Sequence, residues 1–389
     1  MPVSLWPRVI ATLAIVVGGA LIAPTAGAEA AAPHHQARSV AAGYLHTCAV
    51  TTRGAVRCWG WNNYGQLGNR STTDSVRPVA VSGLRSKVRS VTAGSGHTCA
   101  LTTNGKVWCW GDNQFGQLGN GSTTHSSRPV AVHGLGRGVK AISAGNVHTC
   151  AITSTGAAMC WGNNLFGALG DGSEVDSTLP VPVYGLTSGV RAIAAGYQHT
   201  CAISSTRAAM CWGNNGFGRL GNDSMTSSAR PVPVFGLASG VKQIAAGTQF
   251  SCAVNAKNAA VCWGFDGQGQ LGDDGVGWSL RPVGVHGLGF GVRAVKAGTA
   301  TACALTLRGR VACWGSNDEG ELGDNSTTSS RVPVPVYRLD RVAALTVGYR
   351  HTCVRTVRRT VKCWGNNPFG QLGNNTTTDS PRPVRVFGF

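Results

Sequence analysis

The chain has 389 residues, 55 of them glycine and 14 cysteine, with 34 Lys and Arg against 16 Asp and Glu and a formal net charge of +18. That length is more than one hydrophobic core usually supports, and the glycine, about twice an average share, lacks the three-residue period of a collagen-like chain. The charge implies attraction to anionic polymers or surfaces and carries no information on fold, while cysteines at fixed spacing point to an oxidising compartment.

At the N-terminus Arg8 precedes the apolar run Val9–Ala23, and Ala26-Gly27-Ala28 follows as a small-residue cleavage signal. Residues 1–28 therefore read as a secretory signal peptide, followed by a short segment over 29–37. The run is short for a bilayer span; left uncleaved, it would tether the protein to a membrane. No later stretch is long and apolar enough to cross one. The expected product is a secreted, extracellular protein with no stable membrane span after cleavage.

From residue 38 to residue 389 the chain repeats itself. Cysteines fall in pairs ten residues apart: Cys48 and Cys58, Cys99 and Cys109, Cys150 and Cys160, Cys201 and Cys211, Cys252 and Cys262, Cys303 and Cys313, Cys353 and Cys363. Seven copies at a period near fifty mean a repeat architecture. In the second copy, Val88–Gly94 predicts a short strand ending in small residues, suited to a crowded axis. His97–Thr102 predicts a second strand and Lys106–Gly111 a third. The turn between them, Thr103-Asn104-Gly105, has a glycine for the left-handed position of a bulge. Gly54, Gly156, Asn258 and Gly309 fill the same slot, whereas Arg207 and Arg359 depart from it and leave the turn type of copies four and seven open. This register sets Cys99 opposite Cys109, within disulfide reach, and predicts one cross-strand disulfide per repeat.

Each second cysteine is followed by a tryptophan (Trp59, Trp110, Trp161, Trp212, Trp263, Trp314, Trp364) on the opposite face of its strand. A strand with cysteine on one face and tryptophan on the other is buried on both, as radially packed sheets are. The Trp-Gly-x4-Gly-x-Leu-Gly loop that follows lacks the helix of a phosphate cradle. Beyond it a Ser/Thr-rich stretch leads to Pro-Val-x-Val, and proline at a strand start suits an edge. Four short antiparallel strands in each of seven units predict an all-β fold, a seven-bladed β-propeller. The C-terminal strand Pro383–Val386 is expected to complete the blade begun by the N-terminal strands.

The motif Ala-Gly-x-x-His-Thr-Cys-Ala-Leu, then Cys-Trp-Gly-x-Asn-x-x-Gly-Gln-Leu-Gly, resembles the regulator of chromosome condensation repeat family, over Arg38 to Phe389. The resemblance implies a seven-bladed propeller. For the family's namesake it implies guanine-nucleotide exchange on the small GTPase Ran and nucleosome binding, activities that an export signal and evenly spaced repeats disfavour here. Secreted bacterial propellers of similar repeat type include a β-lactamase inhibitory protein, which makes protein binding through one face the nearer expectation. Fold analogy alone does not establish function.

Repetition turns single positions into rings. Arg38, Arg89, Lys140, Arg191, Lys242 and Arg293 stand ten residues before a first cysteine, with Ala343 in the seventh place. These six are the candidate binding ring for an anionic partner. Arg77, Arg128, Arg230, Arg281 and Arg382 share a second position, immediately before the blade proline. His46, His97, His148, His199 and His351 share a third, replaced by Phe250 and Thr301 in copies five and six. A structural histidine bonded to backbone within its own blade suits that slot better than a metal ligand, because phenylalanine also fits it. Copies five and six instead gain acids, and Asp266, Asp273, Asp274, Asp318, Glu319 and Glu321, with the loop aromatic Trp278, form a candidate irregular contact patch.

No nucleophile elbow, His-Glu-x-x-His or phosphate loop is present, and the acidic loops do not follow an EF-hand pattern. No metal or cofactor is expected. The sequence thus describes a monomeric, non-enzymatic interaction module for a protein or an anionic cell-surface polymer. Nucleic acid is disfavoured because nothing in the chain reads bases. The alternatives are a secreted glycan-active enzyme using the carboxylates of copies five and six, and the exchange activity that the resemblance implies.

Overall fold

The computed structural model describes residues 35–84, 87–339 and 341–389; the expected signal peptide lies outside them. The first sheet is made by Ala37–Ala42, His46–Thr51, Val56–Gly60 and Ser75–Ala80 (β1–β4), in that order. Six further four-stranded antiparallel sheets follow, each taken from one sequence repeat, and the last runs from Val342–Val347 to Ser380–Arg385. The protein is a seven-bladed propeller. In the second repeat the observed strands are Val88–Ala93, His97–Thr102, Val107–Gly111 and Ser126–Ala131.

In every blade the two cysteines face each other across the second and third strands and are joined as expected. Cys48 is bonded to Cys58, Cys99 to Cys109, Cys150 to Cys160 and Cys201 to Cys211. Cys252 is bonded to Cys262, Cys303 to Cys313 and Cys353 to Cys363. The Cα separations are 4.0–4.1 Å. All fourteen cysteines are fully buried, and so are the seven tryptophans beside them.

The cores lie between blades. Cys48, Cys58 and Leu67 of the first blade share one cluster with Val88, Val91 and Trp110 of the second. The same arrangement recurs at the other six junctions; Cys160 packs with Trp212, Cys211 with Trp263, Cys262 with Trp314 and Cys313 with Trp364. Each disulfide therefore packs against the tryptophan of the next blade, and a blade on its own would leave these apolar faces in water.

The expected strand exchange does not occur. Ser380–Arg385 pairs within its own repeat, with Val384 opposite Cys363, because the loop from Gly365 to Ser380 has the same length as in the other blades and returns the strand to its own sheet. The ring closes by packing instead. Trp59 and Ala37 enter one cluster with Cys353, Leu372, Val386 and Phe389. Trp59 Nε1 donates to the Gln371 carbonyl at 2.9 Å, and the Tyr44 and Tyr349 rings stack 3.7 Å apart.

Around the axis the innermost strands end in small residues and glycine. A Cβ on Gly43 would stand 2.6 Å from the Gly94 carbonyl oxygen, and one on Gly196 would stand 2.7 Å from that of Gly247. Backbone bonds cross the same junctions: Tyr44 N–H donates to Gly94 O at 3.0 Å, Tyr197 N–H to Gly247 O at 3.1 Å and Tyr349 N–H to Gly43 O at 3.1 Å. Glycine is required here by close approach. A Gly43→Ala variant is expected to lose about 3 kcal/mol, read as a lower urea midpoint with an unchanged m-value; a midpoint within error of the parent would contradict this account of the axial glycines.

The turn slot occupied by Arg207 and Arg359 keeps its geometry. Both residues adopt φ of 65°, as Asn258 does at 59° and Gly54 at 85°. The tertiary fold imposes the left-handed conformation on residues that disfavour it.

Candidate functional site: two ends of opposite charge

Strand direction divides the wheel. One end carries the starts of the innermost strands, the tight turns between second and third strands, and the connections to the next blade. The other carries the connections from first to second and from third to fourth strands. All fourteen described Asp and Glu residues lie in the third-to-fourth connections. The remaining two acids, Glu29 and Asp340, fall outside the described residues.

The turn end is the reverse. Arg38, Arg89, Lys140, Arg191, Lys242 and Arg293 are all exposed there, each at the start of an innermost strand. The tight turns add Arg53, Lys106, Arg207, Lys257, Arg308, Arg310, Arg358 and Arg359, and the connections add Lys87, Arg137, Arg338 and Arg341. That makes eighteen cations facing no described carboxylate. The predicted ring is held by neutral oxygens, so its charge is not cancelled. Arg38 donates to Thr52 O at 3.0 Å, Arg191 to Ser205 O at 3.1 Å, Lys242 to Asn258 Oδ1 at 2.6 Å and Arg293 to Ala343 O at 2.6 Å, while Arg89 reaches Lys140 O. Burial, with Arg359 and Arg293 nearby, lowers the pKa of Arg355 below the ordinary guanidinium value. The two ion pairs between arginine and carboxylate among the described residues, Arg281–Asp223 and Arg350–Glu319, both use acids of the opposite connections.

The second basic set does not join this surface. Its members sit in the outermost strands, where three clamp a neighbouring blade through aromatic faces. Arg77 lies 4.3 Å from the centre of the Phe387 ring, Arg230 4.2 Å from that of Tyr184 and Arg281 4.0 Å from that of Phe235. They are cross-blade clasps.

The irregular acidic patch resolves into slots of the repeat. Asn62 is a loop hub: its Nδ2 donates to Ser71 O and Thr73 O at 2.9 Å, and its Oδ1 accepts from Leu67 N–H at 2.8 Å. Asp266 occupies that slot in blade five and keeps only the accepting half, from Leu271 N–H at 2.8 Å. Burial, with Asp273 beside it, pushes its pKa up to about 6. Glu321 occupies the slot of Gln66, and its Oε2 accepts from Glu319 N–H at 2.9 Å as Gln66 Oε1 does from Tyr64 N–H; burial raises its pKa too. Ala168 and Arg219 lack an acceptor at this position, and Phe166 and Phe217 swing to left-handed φ of 63° and 67°. Asp273 caps its own loop through Gly275 N–H at 3.0 Å, and Glu319 pairs with Arg350 at 2.8 Å. The acids thus interact within each blade, Asp266 with Asp273 and Glu319 with Glu321. No group of three or more potential ligands that could hold a metal occurs among the described residues. Trp278 is not in a loop: it begins the outer strand of blade five opposite Phe265 and is 55% exposed.

Asp266→Asn should restore the amide hub. Because the folded pKa of Asp266 lies above its unfolded value near 3.9, its contribution is full below that value and is lost as pH rises through about 6. The variant is expected to gain about 1–2 kcal/mol at pH 8 and less at pH 5, measured by urea unfolding; equal gains at both pH values would contradict the assignment.

The histidines bond across blades, not within their own. His46 Nε2 lies 2.8 Å from Thr98 Oγ1, and the pattern repeats for His97–Thr149, His148–Thr200, His199–Ser251 and, over the seam, His351–Thr47. Each hydroxyl also donates to a backbone carbonyl, as Thr98 does to Gln66 O at 2.9 Å. A hydroxyl has one proton to give, so His Nε2–H must be the donor and the ring is neutral. Burial depresses the pKa to about 3 for His46, His97 and His351 and to about 4 for His148, and well below normal for His199. Where Phe250 replaces the histidine, Ala302 replaces the hydroxyl of the next blade, and both are buried in one cluster. This coupled exchange is visible in the aligned repeats, but only once neighbouring repeats are known to be neighbouring blades.

Fold and site together define a disulfide-stapled propeller with one end whose described charged residues are all basic. The sequence pattern of the RCC1-like domain matches residues 21–286, and that of the regulator of chromosome condensation (RCC1) repeat matches 292–321, 308–355 and 342–371. The chain belongs to the RCC1-repeat family. It is 31% identical to the ultraviolet-B receptor UVR8 of Arabidopsis thaliana over 309 residues, covering 77% of this chain and 69% of that one. It is 30% identical to human E3 ubiquitin-protein ligase HERC2 over 73% of this chain, but that spans only 6% of HERC2. Among solved structures, Prp20p of Saccharomyces cerevisiae superposes with a TM-score of 0.78 at 23% identity, over 87% of both chains. Human WBSCR16 superposes with 0.75 at 23% identity, over 82% of this chain and 86% of that one. At such identities the structural likeness is one of fold.

Proposed function

We propose that the protein is an interaction module, exported by its N-terminal segment, that holds an anionic partner against the turn end of the propeller. The observation that carries the reading is the sorting of charge: eighteen described cations at one end and every described acid in the connections of the other. A field of one sign over a whole face concentrates oppositely charged polymers and speeds their encounter. The buried disulfides suit an oxidising compartment, and the structural roles of Asp266 and Glu321 argue against a carboxylate pair free for glycan hydrolysis. Prp20p has binding properties toward Gsp1p and histones; here, third-to-fourth connections of even length favour contact through the basic end over an inserted wedge.

The test uses the mature protein and immobilised heparin. Binding at 50 mM salt should fall by at least ten-fold at 200 mM, as counterion release requires for several contacts. Gln at Arg38, Arg89, Lys140, Arg191, Lys242 and Arg293 together should weaken it further, whereas Gln at Arg77, Arg230 and Arg281 should not. Salt-insensitive binding, or equal loss in both variants, would refute the reading. Recovery of the protein from cells with Met1 retained would refute export.

A further inference from the structure

Blades six and seven meet at the turn end around a recess of about 570 Å³, lined by Leu307, Arg308, Gly309, Arg310, Leu339 and Arg341. Arg308, Arg310 and Arg341 are all exposed. Neither an ion pair nor a hydrogen bond engages their guanidinium groups among the described residues. Asp340, the one acid the sequence brings to this end, lies outside those residues. Across the aligned tight turns, blade three contributes no cation and blade four only Arg207, whereas blades six and seven contribute two arginines each. The recess is thus a place where a doubly basic turn of this end borders a concavity.

We infer that this recess is the anchoring subsite of the basic end, and that it takes a tetrahedral oxyanion ester, sulfate or phosphate, on a linear glycan or polyol polymer. This rests on the function proposed above and adds a location and a ligand class to it. Three arginines lining one recess suit an anion with oxygens on every side, whereas a planar carboxylate is satisfied by one fork. The volume exceeds that of a bare ion and leaves room for the ring or chain that carries it. Leu307, which is 60% exposed, and Leu339 give that carrier an apolar wall for its C–H groups. Among the described residues no aromatic side chain lines the recess, so they offer no platform for a nucleobase, the usual source of affinity for single-stranded nucleic acid.

The experiment measures dissociation constants of the full mature chain at 100 mM salt for three probes of matched charge: a heparin oligosaccharide, a glycerol-phosphate polymer and single-stranded DNA. Three variants are compared, all at exposed positions, with thermal midpoints recorded to confirm folding. The Arg308→Gln/Arg310→Gln/Arg341→Gln triple should weaken the tighter of the first two probes more than ten-fold. The Arg191→Gln/Arg207→Gln/Lys257→Gln triple removes the same charge from blades four and five and should weaken it three-fold or less. Lysine at 308, 310 and 341 keeps the charge but loses the fork, and should recover no more than half the loss on a logarithmic scale. Which of the first two probes binds tighter tells sulfate from phosphate ester. Equal losses in the two glutamine triples, or full rescue by lysine, would overturn the subsite while leaving the basic-end reading in place. Tighter binding of DNA than of either polymer would overturn the ligand class. Failure of all three probes would remove the underlying reading itself.

Discussion

Lowering the pH from 7 to 4 is expected to drop the thermal unfolding midpoint by about 10 °C or more. Five neutral histidines join blade to blade, and all titrate well below their unfolded value. Between the unfolded pKa near 6.5 and the folded one, the unfolded chain binds more protons, so stability is full above about pH 6.5 and falls with the pH below it. At about 1.4 kcal/mol per unit of difference, each of His46, His97 and His351 costs up to roughly 3 kcal/mol at pH 4. Asp266 and Glu321, whose pKa values are raised, work in the opposite sense and are fewer. The control is built into blades five and six: a His97→Phe/Thr149→Ala pair copies Phe250 and Ala302, and should remove one histidine's share of the acid sensitivity while keeping the parent's stability at pH 7 to within about 1 kcal/mol. A midpoint flat between pH 7 and pH 4 would contradict the neutral histidine bonds between blades.

Reduction is expected to have the larger effect. Each disulfide closes a short hairpin loop, worth roughly 2–3 kcal/mol in chain entropy, and seven act on one wheel whose blades cannot bury their faces alone. Marginal stability for a folded protein is about 5–15 kcal/mol, so losing even half the combined contribution should leave the reduced chain unfolded or near its midpoint at 37 °C. The sulfurs are fully buried, so a reductant should release no alkylatable thiol from the native protein until it is also denatured. Thermal unfolding with and without reductant under denaturing pre-treatment checks this; unchanged midpoints after verified reduction of all seven bonds would show that packing suffices.

The repeat makes the architecture readable in advance. The fifty-residue period, the paired cysteines and the adjacent tryptophans specify strand order, register and the two buried faces, because these depend on local spacing. The pairing of Pro383–Val386 does carry a local signal, since the loop from Gly365 to Ser380 has the length of the other repeats and returns the strand to its own sheet; what local spacing does not show is the packing of Phe389 against Trp59 that closes the seam. Histidine partners escape the sequence for the same reason: Thr98 becomes a neighbour of His46 only when blades are set side by side. The acids of blades five and six read as a patch when counted and as structural substitutions when set in their slots, Asp266 for asparagine and Glu321 for glutamine. The six basic positions are legible in the aligned repeats, but their isolation from every described carboxylate follows from strand direction, which sends the third-to-fourth connections to the opposite end.

The central claim is that contact is made through the turn end, and arginine footprinting tests it most directly. Phenylglyoxal modification of the mature protein, with and without a saturating polyanion, is read by mass spectrometry at each site. Protection is expected at Arg38, Arg89, Arg308 and Arg341 and not at Arg70 or Arg350, which lie with the acidic connections. Protection confined to Arg70 and Arg350, with the turn-end arginines as reactive as before, would contradict the account.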